Sequence, residues 1–388
     1  MAESLVFTYG APKPIDGIQL VTQPIPTCGP EEIVVEFLAA PVNPLDFLVI
    51  HGKYPIKPKS TITGQDGEQW AIPGSDGAAR IIQIGSAVSN LAVEDLVILR
   101  AHCKGTWRTH AVFKEEDLIR VPSTVKPHLA SILRMGIAPA YFLLREYHNL
   151  EPGDWIIQNA ATGTISHFVS QLAPLYGIKV ISVIRNRSTA DELERTKRSL
   201  RSHGASLVLT EEELRTTDAL TGKRIVLAID SVSDDSLARN MAASLIPGGT
   251  LVTAGFLGTA ESHEGNLRQF LWQRNITLKS FRLSDCLGRR APLQQGALFE
   301  WFAELLAHGT LKAPALEFVT WKRGAKGLQK SLFDSIQRAY DNEAIGVRKT
   351  VFIFATLIMD AKDAKDARDP KAGGSGRVLS LVHGRCMK

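Results

Sequence analysis

Tyr54 stands in Gly52-Lys53-Tyr54-Pro55, a loop bounded by glycine and proline inside a β-rich stretch. Hydride addition to the β-carbon of a conjugated carbonyl compound builds negative charge on the carbonyl oxygen. A phenol with a pKa of about 10 can hydrogen-bond that oxygen while staying neutral itself. The same loop also suits a tyrosine that packs its ring and leaves its hydroxyl in water, and the residues alone favour that plainer account. Asn43, beside Pro44, could hold the loop or touch a nicotinamide, and turn-forming Asn-Pro is the simpler reading. Lys349, at a strand start, reads as a solvated lysine or a phosphate contact, the first being preferred. Trp107 reads as a packing residue, and His102 and Cys103 as structural.

A hydride needs a carrier, and residues 151–187 offer one a seat. Trp155, Ile156 and Ile157 form a short buried strand ending at Gln158-Asn159. The small-residue turn Ala160-Ala161-Thr162-Gly163-Thr164 follows. An amphipathic helix with Phe168, Val169, Leu172 and Leu175 comes next, closed by Gly177, and then the strand Val180–Ile184. Strand, tight turn, helix, strand is the dinucleotide-binding unit, in which a diphosphate rests on N–H groups at the helix N-terminus. An NAD site usually places an acidic residue on the ribose about 20 residues past the glycines. Here Arg185 and Arg187 flank that position, and guanidinium forks suit a 2′-phosphate, so the unit reads as a seat for NADPH. With only Gly163 in the turn, a crossover that binds nothing stays open as the alternative.

Metal chemistry finds no support in the spacing. His51, His110 and His167 lack carboxylate or cysteine neighbours at ligand distance, and Cys28, Cys103, Cys286 and Cys386 are scattered. Neither a zinc site nor a disulfide framework is expected.

The elements that must position these groups follow from the rest of the chain. A length of 388 residues, 44% hydrophobic and 22% charged, fits a soluble globular protein of two domains. Seven Lys and Arg against four Asp lie after Phe354, so the net charge of +5 falls to +2 over residues 1–354, which gives no case for nucleic acid. No apolar run is long enough for a bilayer. Leu5 to Arg134 is β-rich, with Lys57 to Ile72 as an irregular surface loop. A helix after Ser123 carries Leu129, Ile132, Leu133, Tyr141, Leu143 and Leu144, and Pro139 should break or kink it. Ser188 can cap the next helix, and Glu211-Glu212-Glu213 open another. Strands at 206–210, 224–230, 251–256 and 276–281 alternate with helices, giving a parallel sheet wound on both sides. A helix from Ala297 to His308 precedes a return to strand and helix text up to Ala355. The fold class is therefore α/β. A Rossmann domain (135–314) is combined with a β-rich substrate domain split between 1–134 and 315–359, and a charged tail (360–388) is expected to be disordered.

Taken in order, these pieces resemble the zinc-free medium-chain dehydrogenase/reductases, and among them the mitochondrial-type trans-2-enoyl-CoA (acyl-carrier-protein) reductases. The resemblance runs from Leu5 to about Phe354. Its most specific carriers are Asn43-Pro44-x-Asp46 with Gly52-x-Tyr54, Gly105-Thr106-Trp107-Arg108-Thr109, Pro152-Gly153-Asp154 with Ile157-Gln158-Asn159-Ala160, and Val183-Ile184-Arg185-x-Arg187. Thr210-Glu211-Glu212-Glu213-Leu214 and Pro247-Gly248-Gly249-Thr250 complete the string.

The resemblance implies a GroES-like β domain and NADPH-dependent reduction of the 2,3 double bond of an enoyl thioester, with Tyr54 on the catalytic tyrosine. Arg185 and Arg187 fall on the pair that grips the 2′-phosphate, and Thr162, Gly163, Thr164 and Ile165 on the diphosphate loop. Ala254, Gly255, Phe256, Leu257, Phe281, Arg282, Leu283 and Ser284 fall on segments lining the nicotinamide and acyl pocket, and Lys349 on a cofactor-contacting lysine. It further implies a CoA or acyl-carrier-protein thioester as substrate, a homodimer, and the mitochondrial matrix. This chain shows no Arg-rich presequence, so the cytoplasm is equally open.

Departures from the family pattern are Thr164 and Ser166 at glycine positions, Met135-Gly136-Ile137-Ala138-Pro139 in place of an Asn-Pro and a threonine, and Asn186 for an aspartate. Arg282 stands where a tryptophan lines the pocket and Cys286 lies near another. A charged Arg282 in an acyl pocket is costly unless it meets a carboxylate or phosphate. Two other readings stay open. One is an NADPH-dependent enone or quinone reductase of a specialised pathway, and the other a non-catalytic nucleotide-binding paralogue.

Overall fold

Two sheets, joined by the chain crossing twice between them, carry the site. The computed structural model describes residues 1–7, 15–58, 61–63, 67, 69–255, 267–341 and 348–355. The amino-terminal elements are β1 (Ala2–Val6), β2 (Gln19–Gln23), β3 (Glu32–Pro41), α1 (Pro44–Ile50), β4 (Thr61–Thr63), β5 (Gln69–Ala71), β6 (Ala78–Ile84), β7 (Leu96–Leu99), β8 (His110–Lys114) and β9 (Leu118–Arg120). The helices α2 (Pro127–Ala130) and α3 (Ala138–Glu146) lead into β10 (Trp155–Gln158), α4 (Thr164–Leu172), β11 (Lys179–Ile184), α5 (Ala190–Ser202), β12 (Leu207–Thr210), α6 (Glu211–Thr216), β13 (Ile225–Asp230), α7 (Asp235–Ala243) and β14 (Thr250–Thr253). The rest is α8 (Leu267–Gln273), β15 (Thr277–Ser280), α9 (Leu283–Gly288), α10 (Pro292–Ala307), β16 (Leu316–Trp321), α11 (Leu328–Tyr340) and β17 (Lys349–Phe354).

The parallel sheet has the order β12-β11-β10-β13-β14-β15. Its central strands are apolar up to their carboxyl ends, as burial on both faces demands: Ile225–Ile229 of β13 is an unbroken buried apolar run. The order reverses between β10 and β13, and in such sheets ligands bind beyond the carboxyl ends of the strands at that switch. The second sheet runs β16-β17-β3-β6-β7-β9, with β8 also on β3. The carboxyl-terminal strand β17 pairs antiparallel with β3, placing Val351 opposite Pro41 and Ile353 opposite Ala39. The return strand β17 and the amino-terminal strand β3 therefore share one sheet, and Trp321, Phe352 and Phe354 pack with Phe37 and Trp107 in its core. Trp107 is wholly buried, edge-on to Phe352 at 5.5 Å, so its packing role is as expected. A single cluster with Ile98 and Ile119 from one sheet, Ile156 and Val226 from the other and Phe168 from α4 welds residues 1–354 into one compact unit.

Several boundaries differ from the sequence reading for identifiable reasons. The stretch 57–72 is not all loop: β4 and β5 pair, and Ile62 buries against Val6 and Ile72. The helix after Ser123 breaks before Pro139 rather than at it. A π turn at Leu133–Ile137 separates α2 from α3, and Pro139 sits in the first turn of α3, where its missing N–H costs nothing. Leu175, assigned to the apolar face of α4, is 60% exposed because the helix has by then tightened into a 3₁₀ turn. Thr189, not Ser188, caps α5, accepting from the Glu192 N–H at 3.2 Å. At α6 the acidic run works as expected: Thr210 and Glu213 form a reciprocal capping box. The charged tail and residues 256–257 lie outside the described residues.

Candidate active site

Tyr54 follows α1 in a turn fixed by its own N–H and that of Lys53, both bonded to the Leu48 carbonyl. Its hydroxyl lies 3.2 Å from His102 Nε2, with the two rings 5.5 Å apart and nearly perpendicular. Burial, with Cys103 adding to it, pushes the phenol pKa up, while Arg282 and Arg134 pull it down. At neutral pH the phenol keeps its proton, as a hydrogen-bond donor to a developing enolate must.

Behind Tyr54 lies a line of buried charge. Arg134 NH2 meets His102 Nδ1 at 3.2 Å, and Arg134 Nε donates to the Arg100 carbonyl at 3.1 Å. Asp76 accepts from the Met135 N–H at 2.9 Å. Burial lifts the Asp76 carboxyl to about 7, with Arg134 resisting. Asp46 is lifted to about 6 by the same cause, while it holds the Asn43 N–H at 2.8 Å. Lys349 Nζ donates to Asn43 Oδ1 at 2.6 Å and to the Val42 carbonyl at 3.0 Å. Burial lowers its pKa to about 8, opposed by Asp46 and Asp76. Lys349 is therefore not a solvated lysine: strand β17 begins inside the molecule and carries the ammonium there with it. With Asn43 Oδ1 engaged, the Nδ2 donor of Asn43 is buried and has no protein partner.

The segment between β5 and β6 supports this cluster. Gly74 has φ +102°, and a Cβ there would come within 2.4 Å of Thr106 Oγ1 and 2.8 Å of the Trp107 N. Only glycine allows the Gly105–Thr109 loop to close over Ser75 and Asp76.

The π turn links Tyr54's surroundings to the crossover unit. A Cβ on Gly136 would lie 3.0 Å from Thr164 Cγ2 and 3.2 Å from the Phe168 ring, so this residue can only be small. Helix α4 begins after Gly163 with no side chain capping it, leaving its first N–H groups open. Thr162, Gly163, Thr164 and Ile165 are all partly exposed there. Ser166 is buried instead, its hydroxyl on the Asn159 carbonyl at 3.2 Å, so it does not narrow the groove over the turn. Gln158 ties strand to helix by donating to the Ser166 carbonyl, Ser170 Oγ and Ser182 Oγ. Asn159 bridges the switch itself, with its amide on Asp230 at 2.6 Å and its oxygen on the Ser231 N–H at 2.7 Å.

At the end of β11, Arg185 is exposed, while Arg187 folds back onto the Arg185 carbonyl at 2.9 Å, with Glu192 3.8 Å away. An uncapped helix start, two guanidiniums past the neighbouring strand, and an unpaired buried amide donor fit a 2′-phosphorylated dinucleotide. Ala254 and Gly255 follow β14, the Gly255 carbonyl accepting from the Ser233 hydroxyl at 2.6 Å. Phe281 packs tilted against the Tyr147 ring, centroids 5.7 Å apart. Arg282 begins α9 and is exposed, so the anticipated cost of burying it does not arise. Ser284 is exposed beside Asp285, whereas Leu283 is buried in the core. Phe256 and Leu257 lie outside the described residues. Among the described residues no group of three His, Cys, Asp or Glu could hold a metal ion.

Residues 29–123 match the alcohol dehydrogenase GroES-like domain family. The mitochondrial enoyl-[acyl-carrier-protein] reductase of Rattus norvegicus is 33% identical over 326 residues, covering 82% of this chain and 83% of its own. The Homo sapiens enzyme of the same name is 33% identical over 78% of each chain. The chain belongs to this enoyl reductase family, among the medium-chain dehydrogenase/reductases. A solved Etr1p/NADP/crotonyl-CoA complex superposes with a TM-score of 0.78 at 25% identity, covering 91% of this reductase and 99% of the other chain. The Etr1p/Etr2p heterodimer from Candida tropicalis gives the same score and coverage.

Sequence reading of this reductase singled out Tyr54 and missed the two residues against it. His102 reads as structural in the sequence because two adjacent strand residues cannot both reach one metal, but Cys103 adopts φ +59° and His102 meets the Tyr54 hydroxyl instead. Arg134 had no local signal, since it is a buried arginine in a π turn.

Proposed function

We propose that this chain reduces the 2,3 double bond of 2-enoyl thioesters with NADPH, Tyr54 acting on the thioester carbonyl. The phenol held at 3.2 Å from His102, its pKa raised by burial so that it keeps its proton, is the observation that carries this reading. Bound NADPH supplies the hydride, which adds to C3 of the acyl chain. Charge then moves to the thioester oxygen, where the Tyr54 O–H donates a hydrogen bond. C2 takes a proton from solvent or from Tyr54, and the saturated thioester leaves. Thr162–Ile165 would hold the diphosphate through the open helix start, and Arg185 with Arg187 the 2′-phosphate. Lys349 acts on the coenzyme side by presenting Asn43, whose free Nδ2 faces inward. Residues 1–134 with 315–354 form the substrate-binding half and 135–314 the coenzyme half of the catalytic unit. The two edges of β15 in a pair of chains would form the homodimer, and the named relatives support a mitochondrial site of action. No helix among the described residues is long and apolar enough to cross a membrane.

The test is an assay of crotonyl-CoA beside a simple quinone, each with NADPH and with NADH. Turnover of crotonyl-CoA with NADPH, reduced at least 100-fold in Tyr54→Phe, is expected from loss of one donor to an oxyanion. Preference for the quinone, or a Tyr54→Phe enzyme at full rate, would sink the reading.

A further inference from the structure

The groups behind Tyr54 go beyond holding the loop. Arg134 NH2 stands 3.2 Å from His102 Nδ1, and a guanidinium can only donate. His102 Nδ1 must then carry a lone pair. A neutral imidazole has one ring hydrogen, so it resides on Nε2, which lies 3.2 Å from the Tyr54 oxygen. A phenol has one hydrogen and can also accept. With His102 donating, the phenol's own hydrogen remains for the cleft.

We propose that His102 is a positioning residue: Arg134 locks its tautomer, and its Nε2–H aims the Tyr54 hydroxyl hydrogen at the substrate carbonyl. This rests on the reading of Tyr54 given above. No proton leaves His102 in the step. As charge collects on the thioester oxygen and the phenol proton shifts toward it, the Nε2–H bond to the phenol oxygen strengthens. Such a bond, to a group gaining negative charge, is worth more than one to a neutral phenol.

Arg134 is well suited to hold a tautomer, because it is itself immobile. It is 1% exposed, its Nε is on the Arg100 carbonyl, and Asp76 lies beside it. Protonating His102 would set two donors against each other. Burial and the Arg134 charge indeed push the imidazole down to about 4, so it is neutral over the working range. The other charged or titratable groups acting on Tyr54 are Cys103 from its own side and Arg282 and Asp285 from α9.

The first measurement needs no variant. In ¹⁵N-histidine-labelled protein, His102 is expected as the neutral Nε2–H tautomer from pH 6 to 8, and an Nδ1–H tautomer or an imidazolium overturns the proposal. The second is kinetic. His102→Phe keeps an aromatic ring but no donor. Its kcat on crotonyl-CoA should fall about 10- to 100-fold, the value of one hydrogen bond to a charged group, with KM for NADPH within twofold. The donated bond favours the phenolate, so its loss moves the alkaline limb of the kcat profile to higher pH. His102→Gln, which offers an acceptor to Arg134 and a donor to Tyr54, should restore part of the rate. In a Tyr54→Phe background His102→Phe should cost nothing further. An unchanged kcat, an unmoved limb, or the same loss in both backgrounds overturns the proposal. Should Tyr54→Phe be impaired and His102→Phe not, His102 alone loses its role. Full rate in Tyr54→Phe removes the underlying reading as well.

Discussion

Lys349 Nζ lies 2.6 Å from Asn43 Oδ1, so the first residue of the last strand is bonded to the residue that starts the first helix. The contact does two jobs. It closes the sheet shared by β3 and β17, and it brings a cation against Asp46 and Asp76 from the β17 side. Lys349→Met should therefore destabilise more than an ordinary side-chain loss. Removing one partner from a buried charged cluster typically costs about 3–5 kcal/mol. Urea unfolding of Lys349→Met checks this, and adding Asp46→Asn should recover part of the loss. A midpoint unchanged from the parent protein would contradict the buried placement of the ammonium.

The same cluster makes stability depend on pH in a particular way. Asp46 and Asp76 have folded pKa values of about 6 and about 7, above the ordinary 3.8. The folded state thus holds protons that the unfolded chain releases, and the stability these groups contribute is lost as pH rises from about 4 through 7. Lys349 is depressed from 10.5 to about 8, so its contribution recovers as pH rises from 8 toward 10.5. Urea midpoints at pH 5, 7.5 and 9.5 should show a dip at the middle value. Asp76→Asn, which can still accept from the Met135 N–H, should flatten the acid side. An equal slope in both proteins would count against Asp76 as its source.

Coenzyme choice rests on Arg185 and Arg187. Arg187 already donates to the Arg185 and Asn186 carbonyls, so its guanidinium is oriented before ligand arrives rather than swinging free. A charge-assisted bond is worth about 1.5–3 kcal/mol, so Arg185→Ala and Arg187→Ala should each raise KM for NADPH about 10- to 100-fold. KM for NADH should move little, because NADH lacks the 2′-phosphate. Equal effects on both coenzymes would place these arginines somewhere other than the ribose.

What the sequence disclosed follows the range of the interactions involved. The parallel strands were legible because burial on both faces writes an unbroken apolar run such as Ile225–Ile229, and α6 because its capping box is local in sequence. Tyr54 stood out through its Gly/Pro-bounded turn and the family string around it. His102 and Arg134 did not, because their meaning lies in contacts 48 and 32 residues apart along the chain. Lys349 was misjudged for the same reason: its partner is 306 residues away, and a lysine opening a strand reads as exposed until β17 is paired with β3. The β4–β5 pair was hidden because each strand has only three residues, too few to show alternation.

The outer edge of β15 carries the prediction for assembly. All four of its residues are exposed, Leu278 is 48% exposed and Trp272, just before it on α8, is 81% exposed. β15 is the last strand of its sheet, and an unpaired edge with apolar side chains beside it invites a second strand. A copy of the same chain satisfies both edges at once through a twofold axis, extending two six-stranded sheets into one. Sedimentation velocity at micromolar concentration should therefore show a dimer. The double substitution Trp272→Asp with Leu278→Asp should convert it to monomer while leaving the folded core intact, since neither side chain is buried. A parent protein that sediments as a monomer at tens of micromolar, or a double variant that stays dimeric, would place the contact elsewhere.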